Sequence, residues 1–304
     1  MQASEYNYAD ILYTSERIQW RVEDVISDAH ALDFARPFLP ESLARTRGLS
    51  CLSSHEQRLL NQIRGHQYLY MFGLVEEFIL PFVLQHARGG AVENDMRTRA
   101  LLGFAAEEAK HIDMFKRFRA AFERGFPVPC ELIGPPAAIA QAVLAHEPLS
   151  VALLTLHIEW FVQRHYVDGI KDDGDLDPLF RSLLKHHWLD EAQHAKLDTL
   201  MVKELAAGQS PEQIMRGVEG YLEIGAMLDK GLEQQVELDL DALERVSGRR
   251  LSEADREQCR NVQRGANRWT YLGSGMTHPK LLQTLEQLDP RARALIAAVA
   301  PAFC

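Results

Sequence analysis

The chain has 304 residues, 46% hydrophobic and 25% charged, with 33 basic against 43 acidic side chains and a formal net charge of −10. That length can bury a large core, the composition is that of a soluble globular protein, and the acidic balance argues against a nucleic-acid partner. Cys51, Cys130, Cys259 and Cys304 show no Cys-x-x-Cys spacing and Met1–Glu5 does not open a signal peptide, so reduced thiols in a cytoplasmic protein are expected.

Residues 1–55 read as a segment that packs on the rest, with an amphipathic pattern over Glu16–Ser27 and then punctuation by Pro37, Pro40 and Gly48. Ser54 can cap a long helix running to about Ala87 and stopped by Gly89-Gly90. Its middle is apolar nearly all round, which marks a buried helix. The apolar run Tyr68–Leu84 carries Glu76, Glu77 and Pro81. It is too short and too charged for a membrane span, and Pro81 is expected to kink the helix.

A second helix is expected from about Asn94 to Arg124, then a proline-rich crossover with a short helix near Ala137–Ala145. A third follows Pro148 to about Val167. The aspartates Asp172, Asp173 and Asp175 lack the closing Glu of a calcium loop, because Leu183 occupies that place; they read as a solvated turn. Asp177-Pro178 opens a fourth helix to about Ala207, Ser210-Pro211 a fifth to about Val246, and Ser252 a sixth. Pro279 and Pro290 head two short ones. No stretch alternates with period two, so the protein is expected to be all-α.

Two of these helices carry Glu-x-x-His: Glu108 with His111, and Glu191 with His194. At i, i+3 both side chains leave one face, half of a binuclear metal site. Both pairs repeat at an offset of 83 residues, and the same offset maps Glu76 onto Glu159. Glu77 maps onto Trp160, which selects Glu76 over Glu77. A Glu from each of two helices and Glu-x-x-His from each of two more is the ligand pattern of ferritin-like di-metal carboxylate bundles. The expected architecture is that four-helix core over residues 56–207, with additional helices at 1–55 and 208–304, all in one domain. Carboxylate and imidazole without thiolate suit iron or manganese, and four carboxylates match the charge of two divalent ions. Two Fe ions, or Mn or a mixed pair, with O2 as co-substrate are the expected cofactors.

His187 lies four residues before Glu191, on the same face, while its counterpart at the 83-residue offset is Phe104. His-x-x-x-Glu-x-x-His on the last ligand helix, after a single Glu-x-x-His, resembles the bacterial arylamine N-oxygenases of the p-aminobenzoate N-oxygenase type. The resemblance covers roughly residues 56–207. It implies that His187 is also an iron ligand, completing Glu76, Glu108, His111, Glu159, His187, Glu191 and His194. It further implies that the site oxidises an aryl amine towards a nitro group.

Thr155, one turn before Glu159, is a candidate for the O2 side. Tyr166, two turns after Glu159, either faces the site or packs in the core. His157 and His165 are candidate donors to ligand carboxylates, and Glu107 and Asp190 are expected to face solvent or neighbours. The reading is an O2-dependent di-iron oxygenase with a small-molecule substrate, an electron donor of unknown identity and no membrane span, with a homodimer as the candidate assembly. Hydroxylation, desaturation or oxidative cleavage of a fatty-acyl substrate is the alternative within enzymes. A radical-generating Mn/Fe subunit, a ferroxidase or iron store, and a metal-free bundle are the rivals outside that reading.

Overall fold

A computed structural model describes residues 6–27, 29–88 and 95–304. Among the described residues there are helices and turns and no strand. Four long helices form the core: α4 (Ser54–Arg88), α5 (Asp95–Gly125), α7 (Pro148–His165) and α8 (Pro178–Ala206). α4 pairs with α5, α7 with α8, and α5 packs on α8. Each pairing is antiparallel, as shown by Phe72 on Phe115 and His66 on Phe122 between α4 and α5, and by Glu107 and His111 against His194 and Asp190 between α5 and α8. This is the ferritin-like four-helix arrangement.

The long helix α9 (Pro211–Ser247) packs against both α4 and α7. Ser210 caps it in a reciprocal box with Gln213, and Gly248 ends it at φ 67°. α10 (Glu253–Arg268) lies on α9, and the short helices α11 (Ser274–Met276), α12 (Pro279–Leu288) and α13 (Pro290–Val299) follow. The C-terminal segment is seated closely: a Cβ on Gly275 would fall 2.5 Å from the buried His157 ring. α6 (Pro136–Leu144) lies within the crossover and contacts α4 and α7.

The N-terminal helix differs from expectation. Helix α1 spans Tyr8–Ser15, capped by Asn7 accepting from the Asp10 amide, and packs on α5 and α8. Glu16–Ser27 holds only the short α2 (Val22–Val25); its buried side chains, Val22, Val25 and Ile26, are too little apolar face to carry a longer helix. α3 (Glu41–Ala44) is likewise one turn. The expected stop at Gly89-Gly90 lies outside the described residues. α4 continues through Pro81 without a break in helical assignment. It is long and apolar enough to cross a membrane, but its most apolar window, of mean hydropathy 1.3, is 67% buried inside the protein. It is the inner helix of the bundle.

Candidate metal centre

α8 begins where the sequence places it, with Asp177 accepting from the Phe180 amide and Pro178 in the first turn. From that start, His187, Glu191 and His194 fall at i, i+4 and i+7 and form one inward stripe. α5 presents Glu108 and His111 towards it, α4 presents Glu76 and α7 presents Glu159. All seven side chains are at most 3% exposed.

Glu191 sits at the middle. Its Oε1 lies 2.7 Å from His187 Nε2 and 3.2 Å from His111 Nδ1, and its Oε2 lies 2.8 Å from His194 Nδ1. His187 Nε2 is also 3.0 Å from Glu76 Oε1. His194 Nδ1 is 3.0 Å from Glu108 Oε1. Two sets of donors result, Glu76–His111–His187–Glu191 and Glu108–His111–Glu191–His194, each with its donor atoms within 4.8 Å of one another. Glu191 belongs to both and offers one oxygen to each side. Glu159 joins the cluster through Glu191, with which it shares a hydrogen bond. Glu77, by contrast, is on the surface, 3.2 Å from Lys116.

The unpaired atoms identify what the cluster accommodates. Glu76 Oε2, both oxygens of Glu108, His111 Nδ1 and Glu159 Oε2 are buried without hydrogen-bond partners. Buried acids left this way are costly unless cations join them. Protonation responds in the same sense. Burial, then the Glu108 charge, raises Glu76 well above the ordinary carboxyl range; burial and Glu191 do the same to Glu159. Burial opposes the charge on Glu191, but His194 and His187 outweigh it and hold Glu191 well below. Burial likewise opposes protonation of His111, yet its bond to Asp190 and the nearby Glu191 carboxylate raise it to about 9. The pocket calls for positive charge, and two divalent ions fit four carboxylates and three imidazoles.

Both Glu-x-x-His histidines turn Nδ1 inward, so their Nε2 atoms need partners. Glu107 and Asp190 supply them; of the two expected settings, solvent or a neighbour, each meets a neighbour on the facing helix. Glu107 of α5 accepts from His194 of α8 at 2.8 Å, and Asp190 of α8 accepts from His111 of α5 at 3.0 Å. The support is reciprocal across the α5–α8 interface. Asp190 is 1% exposed, and its Oδ2 also receives Lys110 Nζ at 2.6 Å and Trp20 Nε1 at 3.0 Å. Trp20, from the segment before α2, stacks on His111 with ring centroids 5.9 Å apart and lies under the Lys110 ammonium. A 460 Å³ cleft between this segment and α5 opens over Trp20, Lys110 and Glu107. The signal for the two acids was in the sequence: Glu107 and Asp190 are themselves 83 residues apart.

Other candidates fall elsewhere. His157 bonds the Tyr271 carbonyl and the Tyr221 hydroxyl, and His165 bonds Tyr68 and Ser274; neither meets a ligand carboxylate. Tyr166 stacks on Trp188 at 4.3 Å on the partly exposed side. α7 gives way there to a π turn, Tyr166–Ile170. The π turn begins only at Tyr166, whose amide still bonds the Val162 carbonyl in α-helical register; two turns beyond Glu159, its ring meets Trp188 instead of the cluster. Thr155 is fully buried, one turn from Glu159. Aromatic rings close the space around the cluster: Phe104 on His194 at 4.0 Å, and Phe72 and Phe115 each 5.1 Å from His187.

Residues 8–218 match the family profile of the p-aminobenzoate N-oxygenase AurF. The chain belongs to this family. It is an oxidoreductase, an oxygenase whose buried carboxylate–histidine cluster serves a di-iron centre that uses O2 on a small molecule. Among solved structures it is similar to single-residue mutants of an R2-like ligand-binding oxidase with anaerobically reconstituted Mn/Fe cofactor. One is 15% identical, covering 90% of this chain and 93% of that one with a TM-score of 0.47. Another is 14% identical, covering 89% and 94% with a TM-score of 0.45. These distant likenesses add nothing to the family assignment. No curated protein matches the chain.

Proposed function

We propose that the protein is a di-iron N-oxygenase of an amine, an aryl amine first, held by Glu76, Glu108, His111, Glu159, His187, Glu191 and His194. The observation that carries this reading is His187. Its Nε2 points between Glu76 and Glu191, at 3.0 and 2.7 Å, and so adds a third imidazole to one side of the cluster only. The first set would take one ion, and the second set with Glu159 the other.

Two reduced iron ions in this site would supply the electrons that activate dioxygen. The chain's own groups set the conditions. Asp190 and Glu107 hold His111 and His194 with Nδ1 inward and raise their basicity. The Phe72, Phe104 and Phe115 rings exclude water, so the oxidising equivalent is spent on substrate. Burial opposes the charge on Asp190, but His111 and then Lys110 outweigh it and hold Asp190 anionic. The unpaired thiols, including Cys51 and Cys259 with sulfurs 3.6 Å apart, fit a reducing, cytoplasmic setting.

The test is anaerobic loading with Fe(II), mixing with O2, and presentation of aryl amines and fatty-acyl substrates in parallel. Conversion of the amine to hydroxylamine or nitro product is expected. His187→Ala should retain the fold, change the visible spectrum of the loaded protein and lose amine oxidation. Oxidation of acyl chains with amines untouched, or an unchanged spectrum and turnover in His187→Ala, would refute the reading.

A further inference from the structure

Two thiols meet well away from the metal cluster. Cys51 lies in the turn just before α4, and Cys259 lies on α10, 208 residues further along the chain. Ser54, which opens α4, is separated from the ligand Glu76 by about 33 Å of helix. The two sulfurs are 3.6 Å apart. Those of Cys130 and Cys304 meet backbone carbonyls instead. Cys259 is 0% exposed, whereas Cys51 is partly exposed. One sulfur can therefore meet a small solute, with the other directly behind it.

The neighbouring bonds hold the two segments together. Arg249, leading into α10, donates Nη2 to the Cys51 carbonyl at 2.9 Å and Nε to Glu56 Oε1 at 2.6 Å. Glu56 Oε2 accepts from the Ser53 amide and hydroxyl, each at 2.8 Å. A disulfide needs its sulfurs at roughly 2.05 Å, about 1.5 Å closer than they stand. Cys51 is outside any helix, so its side chain can turn towards α10 without bending one. Burial, then the neighbouring Cys51, pushes the Cys259 thiol up to about 12. Cys259 thus stays protonated at neutral pH, and Cys51 is the sulfur that reacts first.

We propose that Cys51 and Cys259 are a redox-modification site, which hydrogen peroxide converts to a disulfide that clamps α10 onto the start of α4. In the first step the Cys51 sulfur gives up its proton and attacks peroxide. An S–O bond forms, the O–O bond breaks, and one water leaves. The Cys259 sulfur then attacks the Cys51 sulfur. The S–S bond forms, the S–O bond breaks, and the Cys259 proton leaves with the hydroxide as a second water. The two sulfurs lose two electrons and the peroxide oxygens gain them. On the oxygenase reading the protein has a source at hand, since O2 that takes up two electrons and two protons without substrate leaves as hydrogen peroxide. The thiol chemistry itself does not rest on that reading. The clamp would secure a segment that covers the bundle: Asn267 accepts from Gln67 of α4 at 3.1 Å, and the Tyr271 carbonyl meets His157 of α7 at 3.1 Å.

The experiment titrates the full-length protein, without added metal, with hydrogen peroxide, then alkylates free thiols and maps the peptides by mass spectrometry. Of the four thiols, two should remain, with Cys51 and Cys259 joined in one linked peptide. The unfolding midpoint should rise by about 5 °C and return on adding a dithiol reductant. Cys51→Ser should show neither the link nor the shift. Cys259→Ser should stop at a sulfenic acid on Cys51, trapped with dimedone. If Cys259→Ser does not fold, Cys51→Ser and the wild-type map carry the test. Four free thiols after peroxide, a link through Cys130 or Cys304, or a sulfinic acid at Cys51 without a link would overturn the proposal and leave the oxygenase reading standing. In a second arm the Fe(II)-loaded protein is given O2 without amine, and the link is expected unless catalase is present. A centre inert to O2, in a protein whose thiols close with added peroxide, would overturn the oxygenase reading and leave the thiol pair standing.

Discussion

Replacing Asp190 with Asn keeps the side chain's size and removes its charge. Three donors converge on its Oδ2: His111 Nε2 at 3.0 Å, Lys110 Nζ at 2.6 Å and Trp20 Nε1 at 3.0 Å. The amide oxygen can still accept, but it cannot offset Lys110 or strengthen the His111 imidazole as a donor. Loss of such a partner typically weakens metal binding by about 10- to 100-fold, or about 1.4 to 2.8 kcal/mol at 25 °C. The upper part of that range is expected, because Asp190 is buried and no other described residue bonds His111 Nε2. Glu107→Gln should fall near the lower part, since the Glu107 side chain is 14% exposed and water can replace it on His194. The assay is competition with a chelator for Fe(II) or Mn(II), read by calorimetry, with the thermal unfolding of the metal-free protein as the control. Wild-type affinity in Asp190→Asn, or a larger loss in Glu107→Gln, would refute the argument that these acids set the basicity and orientation of the inward histidines.

Glu76→Ala should lose at least one metal ion per chain by elemental analysis, whereas Glu77→Ala, which removes only the surface pair with Lys116, should keep both. Metal loading should be displaced by acid: His111 is held at about 9 in the metal-free protein, above its ordinary 6.5, so at pH 7 it must release a proton to bind an ion. Proton release measured with an indicator dye should therefore accompany loading at pH 7 and fall away above pH 9. The same shift gives the sign of its effect on the metal-free fold: the stabilisation from protonated His111 is complete below 6.5 and lost as pH rises through about 9. Gly275→Ala should destabilise the protein by about 1 to 3 kcal/mol through overpacking, read as a lower unfolding midpoint, because the added methyl carbon meets the His157 ring; an unchanged midpoint would show that the C-terminal helices are looser than the structure has them.

The all-α class and the positions of the long helices were legible because caps, breakers and apolar periodicity are local. Ser210, Asp177 and Ser252 open their helices as read. The candidate cluster was legible for a different reason. The same residue types recur at one offset, so Glu76, Glu108 and His111 could be paired with Glu159, Glu191 and His194 before any packing was known. That offset held the two supporting acids as well, Glu107 and Asp190, but a carboxylate beside a ligand looks the same in sequence whether it faces water or crosses to the other helix. Only the α5–α8 packing decides which. Tyr166 shows the opposite limit: two turns beyond Glu159, its ring stacks on Trp188, a partner that only the packing of α7 on α8 supplies. The sequence by itself determined the helices, the ligand types and their spacing, because these depend on neighbours along one helix. Tertiary structure decided that each half supports the other's histidine, that Trp20 reaches Asp190 from outside the bundle, and that the Cys51 and Cys259 sulfurs meet, because those contacts join residues far apart in the chain and exist only once the helices pack.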